Sequence, residues 1–152
     1  RVVRYNLLEL TKRGQVIHLC GKGNADRSIK VKGYCQFEYA NEEMPHLLAA
    51  ADLVVSRAGA NSIFELCALA KPNILVPLSK QVSRGDQILN AHSFREQGFS
   101  LVIEEEDLTS NTLLEYIDYL QLHKDQFVQA MRASTMGNGT NNVLRIIGQY
   151  VK

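Results

Sequence analysis

The stretch Ser56-Arg57-Ala58-Gly59-Ala60-Asn61-Ser62 joins a short apolar run to a segment with helical spacing. Its residues are mostly small, so a ligand can approach the main chain closely. The first N–H groups of a helix have no partner inside it and carry partial positive charge. They suit an anion such as a diphosphate. Along the helix, Ile63, Leu66, Cys67 and Ala70 share one face, and Ser62 and Glu65 lie roughly opposite. A carboxylate there can accept hydrogen bonds from the hydroxyls of a ribose. The same residues carry a second reading. Ser62-Ile63-Phe64-Glu65 matches the S-x-x-E capping box, which satisfies donors at a helix start. The two roles are compatible, because an unshared carboxylate oxygen still accepts a hydroxyl.

A second stretch, Ser79 to Ala91, places Asp86, Gln87 and Asn90 together at a helix start. That grouping suits several hydroxyls of a sugar, and Arg84 can neutralise a phosphate. The alternative is a polar loop in which Asp86 only complements the helix dipole. Gly21-Lys22-Gly23-Asn24 has neither the third glycine of a dinucleotide fingerprint nor the ending of a P-loop, and it reads as a turn. His18, His46, His92 and His123 have no metal-ligand spacing with the cysteines. His18 falls inside a strand and reads as packed or hydrogen-bonded. Cys67 falls on a core face and reads as a small hydrophobe. The run Glu104-Glu105-Glu106-Asp107 reads as a solvated loop whose acidity suits the helix after it. No residue stands out as a general base.

The elements that must position these residues alternate. Helices are expected over Val2 to Arg13, Glu42 to Ala51, Ala60 to Ala70, Asp86 to Gln97, Asn111 to Leu122, His123 to Ala133 and Asn141 to Val151. Gly14 is expected to end the first of them as a left-handed C′ residue. Strands are expected at Gln15 to Cys20, Val31 to Phe37, Asp52 to Ser56, Asn73 to Pro77 and Ser100 to Ile103. Near-continuous apolar strands between helices predict an α/β fold, a Rossmann-like parallel sheet with helices on both faces. Ligands of such sheets sit at the carboxyl ends of the strands.

The composition agrees. A chain of 152 residues with 45% hydrophobic and 22% charged residues predicts one globular domain. Seventeen basic residues against sixteen acidic ones give a net charge of +1, which argues against a nucleic-acid partner. Cys20, Cys35 and Cys67 are scattered and odd in number, which fits a reducing cytoplasm. No apolar run approaches the length of a membrane span.

Taken together, three segments and one glutamate resemble the C-terminal, donor-binding domain of the MurG family, glycosyltransferase family 28. They are Ala51-Asp52-Leu53-Val54-Val55-Ser56-Arg57-Ala58-Gly59 with Glu65, then Lys71-Pro72-Asn73-Ile74-Leu75-Val76-Pro77-Leu78, then Gly85-Asp86-Gln87-Ile88-Leu89-Asn90-Ala91. The resemblance covers essentially the whole chain. It implies that residues 1–152 form a UDP-sugar-binding domain, the C-terminal half of a glycosyltransferase B fold. The family's first strand of this domain and its GGSxGA loop have no counterpart here. The acceptor domain, with its general base and membrane-docking patch, is also missing, so the resemblance implies no turnover by this chain alone.

The implied reaction is inverting transfer of N-acetylglucosamine to the lipid-linked muramyl-pentapeptide of peptidoglycan synthesis. It implies a peripheral protein on the cytoplasmic face of the bacterial membrane, with no cofactor and no metal. The implied partners are UDP-N-acetylglucosamine and, through the N-terminal domain, the lipid-linked acceptor. Position by position, Glu65 resembles the glutamate that grips the ribose hydroxyls. Gly59, Asn61 and Ser62 resemble the phosphate- and sugar-facing helix start. Gln87, with Asp86 beside it, resembles the glutamine that reads N-acetylglucosamine, although the family often has two glutamines before Asn-Ala. Tyr39-Ala40-Asn41 resembles the uracil-contacting loop, where main-chain groups do the reading. Two other functions stay open. One is the donor domain of a UDP-glucose-dependent diacylglycerol glucosyltransferase; the other is a stand-alone donor-binding subunit needing a membrane-bound partner. The stripe Val143, Ile146, Ile147, Tyr150 and Val151 reads as core or as an interface to the N-terminal domain.

Overall fold

In the computed structural model, which describes residues 1–80 and 85–134, strands and helices alternate along the chain. The order is α1 (Val2–Tyr5), α2 (Leu7–Arg13), β1 (Val16–Leu19), β2 (Tyr34–Phe37), α3 (Met44–Ala50), β3 (Val54–Ser56), α4 (Ala60–Ala68), β4 (Asn73–Leu75), α5 (Asp86–Glu96), β5 (Leu101–Val102) and α6 (Ser110–Ala133). A short 3-10 turn, Glu105–Asp107, precedes α6. Every strand pair is parallel, as the alternation predicts. In place of one continuous sheet there are two, β1-β2 and β3-β4-β5.

Burial on both faces holds for β4, where Asn73, Ile74 and Leu75 are all buried. It does not hold for β1 and β2, whose side chains alternate. Ile17 and Leu19 stand in register with Cys35 and Phe37, and all four are exposed among the described residues. The core gathers instead around Ile74 and Leu75, with Ile63, Leu66 and Cys67 from α4, Ala91 and Phe94 from α5, and Leu113, Ile117 and Leu120 from α6. Phe94 sets the placement of α5. It meets Phe99 edge-on at 5.4 Å and Phe64 of α4 at 6.3 Å.

One helix differs from expectation. The helix over Val2 to Arg13 breaks at Asn6, whose buried side-chain amide donates to the Val2 carbonyl at 2.7 Å and to Ser110 Oγ at 3.0 Å. Gly14 does end α2, but with an extended φ of 167° rather than a left-handed one. The two helices expected over Asn111 to Leu122 and His123 to Ala133 meet, as expected, at a break: His123 has non-helical angles, φ −115° and ψ 16°, and the two halves are described together as α6. Its start carries a capping box made by Thr109 and Thr112. The helix expected at Asn141 to Val151, with its apolar stripe, lies outside the described residues, and so does Arg84.

Candidate functional site

At the carboxyl end of β3 the chain turns through Arg57, Ala58 and Gly59 into α4. Gly59 is the N-cap, so the helix begins at Ala60. The first intrahelical bond runs from the Ile63 N–H to the Gly59 carbonyl at 3.0 Å. The N–H groups of Ala60, Asn61 and Ser62 precede it and project from the helix end. This disposes of the capping-box reading for Ser62 and Glu65. Ser62 is the third residue of the helix rather than its cap, and no side chain caps α4. Asn61, Ser62 and Glu65 are all exposed. Ser62 and Glu65 share the face away from buried Ile63, Leu66 and Cys67, so the Glu65 carboxylate is open to a ligand.

At the carboxyl end of β4 the chain reaches α5 through Leu78, Ser79 and Gly85. Gly85 is the N-cap of α5 and needs its glycine, because its φ is +87°. Asp86 is exposed in the first turn of α5. The first turn of α4 holds no acid. The two helix starts therefore differ in charge. At α4 the partial positive charge is unopposed, which favours an anion, and at α5 Asp86 offsets part of it.

The two loops are fastened to each other. The Gln87 Oε1 accepts from the Leu78 N–H at 3.0 Å and from the Ala58 N–H at 3.4 Å. Two N–H donors admit only an acceptor, so the amide nitrogen of Gln87 turns the other way. It lies 3.9 Å from where a Cβ on Gly59 would stand, beside the start of α4. Asn90, one turn on, donates to the Ala58 carbonyl at 3.2 Å. Fully buried Ala58 is thus gripped on both its N–H and its C=O. This qualifies the reading of Asp86, Gln87 and Asn90 as three sugar-facing groups. Asn90 spends one of its N–H donors on the scaffold and Gln87 its oxygen, while the Gln87 NH2, the Asp86 carboxylate and the rest of the Asn90 amide keep polar groups for a ligand.

The acidic turn after β5 carries a role that the sequence did not disclose. Glu105 accepts from Arg57 at 3.1 Å through Oε1 and from the Ser79 N–H at 3.1 Å through Oε2. The Ser79 bond, with the Arg57 charge behind it, holds the Glu105 carboxyl below the usual range. Arg57 also donates to the Val76 carbonyl at 3.3 Å. Glu104 meets His92 of α5 at 2.5 Å. A run of four acids reads as solvated. The signal that could have separated these two is their position just after β5, at the same end of the sheet as the loops that follow β3 and β4 and carry Arg57 and Ser79.

The loop after β2 holds Asn41, which is exposed. Its N–H donates to Glu43 Oε2 at 3.1 Å and its carbonyl accepts from the Met44 N–H at 3.2 Å. Both main-chain groups of Asn41 therefore have partners within their own loop. A depression of about 590 Å³ lies beside β2, lined by residues including Arg27, Lys30, Gln36 and Tyr39. Its Gln36 amide is already tied to Asp26 and Arg4.

The remaining titratable groups are structural. His18 Nδ1 is paired with the Tyr34 hydroxyl at 2.9 Å, and burial, with Arg4 nearby, pushes its pKa down. Burial pushes the Cys67 thiol up. Among the described residues no cluster of histidine, cysteine or acid could hold a metal ion, and no helix is long and apolar enough to cross a membrane.

Comparison with known proteins adds three findings. The protein-family model described as glycosyltransferase family 28 C-terminal domain matches residues 1–147. The chain is 51% identical over 150 residues, 98% of its length, to the UDP-N-acetylglucosamine--N-acetylmuramyl-(pentapeptide) pyrophosphoryl-undecaprenol N-acetylglucosamine transferase of Clostridium tetani. It is 56% identical over 146 residues, 95% of its length, to the protein of that name from Clostridium perfringens. It spans 42% and 41% of these two relatives, about two fifths of their length. Its fold matches the crystal structure of Acinetobacter baumannii MurG with a TM-score of 0.68 at 22% identity, covering 97% of this chain and 46% of that one.

Proposed function

The chain belongs to glycosyltransferase family 28, whose C-terminal domain it matches, and from that premise we propose that residues 1–152 form the UDP-N-acetylglucosamine-binding half of a peptidoglycan N-acetylglucosaminyltransferase. The complete enzyme transfers the sugar to a lipid-linked muramyl-pentapeptide, held by a domain outside this chain. It works as a peripheral protein on the cytoplasmic face of the bacterial membrane.

The observation that carries the reading is the pairing of two unlike helix starts at neighbouring strand ends. The start of α4 has no acid and suits the diphosphate, while the start of α5 has Asp86 and suits neutral hydroxyls. Glu65 accepts the ribose hydroxyls, and Asn61 and Ser62 face the phosphates. The Gln87 NH2 and Asp86 read the sugar, and Arg84, two residues before Asp86 in the sequence, is the cation proposed for a phosphate. The loop holding Asn41 takes the base through its main chain. The names of the two clostridial relatives support the choice of sugar.

The chemistry is a direct displacement. The acceptor's C4 hydroxyl forms a bond to the anomeric carbon as the bond from that carbon to the diphosphate breaks. The electron pair leaves with UDP, and the hydroxyl proton passes to a base outside this chain. Charge grows on the departing diphosphate, so the unpaired N–H groups at the start of α4 gain strength along the reaction.

Calorimetry of the chain with UDP-N-acetylglucosamine, UDP-glucose and UDP tests this. UDP and UDP-N-acetylglucosamine are expected to bind, with UDP-glucose weaker than the latter. Tighter binding of UDP-glucose would assign the chain to a lipid glucosyltransferase, and absence of UDP binding would remove the donor site altogether.

A further inference from the structure

The donor site rests on two loops from different strands, and a third element joins them. Gln87 ties Leu78 to Ala58 from within α5. Glu105 ties the same two loops from outside, reaching from the end of β5 to Arg57 in one loop and to the main chain of Ser79 in the other. We propose that Glu105 is a positioning residue of the donor site. It sets the separation between the loop that would hold the diphosphate and the loop that would hold the sugar. This rests on the donor-binding reading above.

Both loops keep another anchor, Arg57 on the Val76 carbonyl and the Leu78 N–H on Gln87, so Glu105 sets their separation rather than the place of either alone. A nucleotide sugar would span both loops while UDP would rest on the loop before α4, so losing Glu105 costs the nucleotide sugar more than UDP. Neighbouring Glu106 is exposed and makes none of these contacts, so it serves as the control.

The test measures affinity for UDP-N-acetylglucosamine and for UDP by calorimetry in the parent chain, Glu105→Ala, Glu105→Gln and Glu106→Gln, with the melting temperature of each. Glu105→Ala is expected to lose about fivefold for the nucleotide sugar and less than about twofold for UDP, the scale of one partly exposed charge-assisted bond. Glu105→Gln keeps an acceptor for the Ser79 N–H and should recover most of the loss. Glu106→Gln should match the parent. A purely structural role would instead lower both affinities together with the melting temperature. Equal losses for both ligands, unchanged affinity in Glu105→Ala, or a Glu105→Gln as weak as the alanine variant would each overturn the proposal. A parent chain that binds neither ligand would overturn the donor reading first, and this inference with it.

Discussion

Replacing Gln87 by alanine removes the acceptor for two main-chain N–H groups. One belongs to Ala58, which is fully buried, at 3.4 Å; the other to half-buried Leu78 at 3.0 Å. A buried donor left unsatisfied costs about 1–3 kcal/mol. The longer bond is weak and the shorter one is partly solvated, so the pair together should cost about 2 kcal/mol. For a domain of this size that lowers the melting temperature by roughly 4–8 °C. Because Ala58 leads into α4, Gln87→Ala should weaken both UDP and UDP-N-acetylglucosamine, the latter more. Gln87→Glu separates the two parts of the role. Its carboxylate keeps both acceptors, so the melting temperature should stay near the parent's. It also puts a negative charge where the amide nitrogen stood, beside Gly59. At about 5 Å from a diphosphate that repulsion is worth about 1–3 kcal/mol, using an effective dielectric between those of water and the protein surface. UDP affinity should fall by at least about fivefold. Thermal melts and calorimetry at neutral pH read both effects. An alanine variant that melts with the parent would show that the amide is no clamp. A glutamate variant that binds UDP like the parent would place the phosphates away from the start of α4.

Other perturbations give separable readouts. Glu65→Ala should leave the melting temperature within about 0.5 kcal/mol of the parent, as at an exposed site without partners, and should cost about 1.5–3 kcal/mol of UDP binding; unchanged affinity by calorimetry would take Glu65 off the ribose. Thr109→Ala removes the capping box of α6 and should cost about 1 kcal/mol in a thermal melt, with no change in UDP affinity. Glu105 has a folded-state pKa below its unfolded value, through the Ser79 bond first and Arg57 second. Its contribution is therefore complete above about pH 4.3 and is lost as pH falls through the lowered value. The melting difference between the parent and Glu105→Gln should be present at pH 6 and shrink as the pH is lowered through the acid range; it stays under about 1 kcal/mol because the side chain is one-third exposed.

What could be read from the sequence follows from where local pattern decides the outcome. The run Asn73 to Pro77 is apolar throughout, and β4 is buried throughout. The stripe Ile63, Leu66, Cys67 belongs to the core as its spacing demands. Failures came where a distant group decides. The helical stripe from Val3 to Leu10 is continuous, yet Asn6 breaks it by donating to Ser110, more than a hundred residues away. Ser62-x-x-Glu65 satisfies a capping pattern, but the pattern does not say where the helix begins. The turn through Gly59 starts α4 three residues earlier, which moves both side chains onto an open face. The parallel pairings were legible in kind. The separation into two sheets was not, because strand-edge bonds leave no periodic trace in sequence. The acidic turn failed for a related reason. Composition marks Glu104 and Glu105 as solvent-facing, and only the tertiary arrangement brings Ser79 and Arg57 to Glu105 and His92 to Glu104.

Under the proposed donor orientation, these cross-links explain why so many polar side chains at the strand ends bind main chain rather than solvent. A displacement reaction needs the anomeric carbon held between a fixed diphosphate and a fixed sugar ring, and small errors in that geometry are costly. The diphosphate is assigned to one loop and the sugar to the next, on strands that neighbour each other in the sheet. Sheet hydrogen bonds fix the strands, but they end at Ser56 and Leu75. Beyond those residues something else must hold the spacing. Gln87 and Asn90 hold Ala58, Gln87 also holds Leu78, and Glu105 holds Arg57 and Ser79. Each of these bonds sits within a few residues of a helix start assigned to the ligand. Their value to stability is modest, because most are partly exposed. Their value to binding lies in keeping two helix starts of opposite preference, one for charge and one for hydroxyls, at the separation that a nucleotide sugar spans.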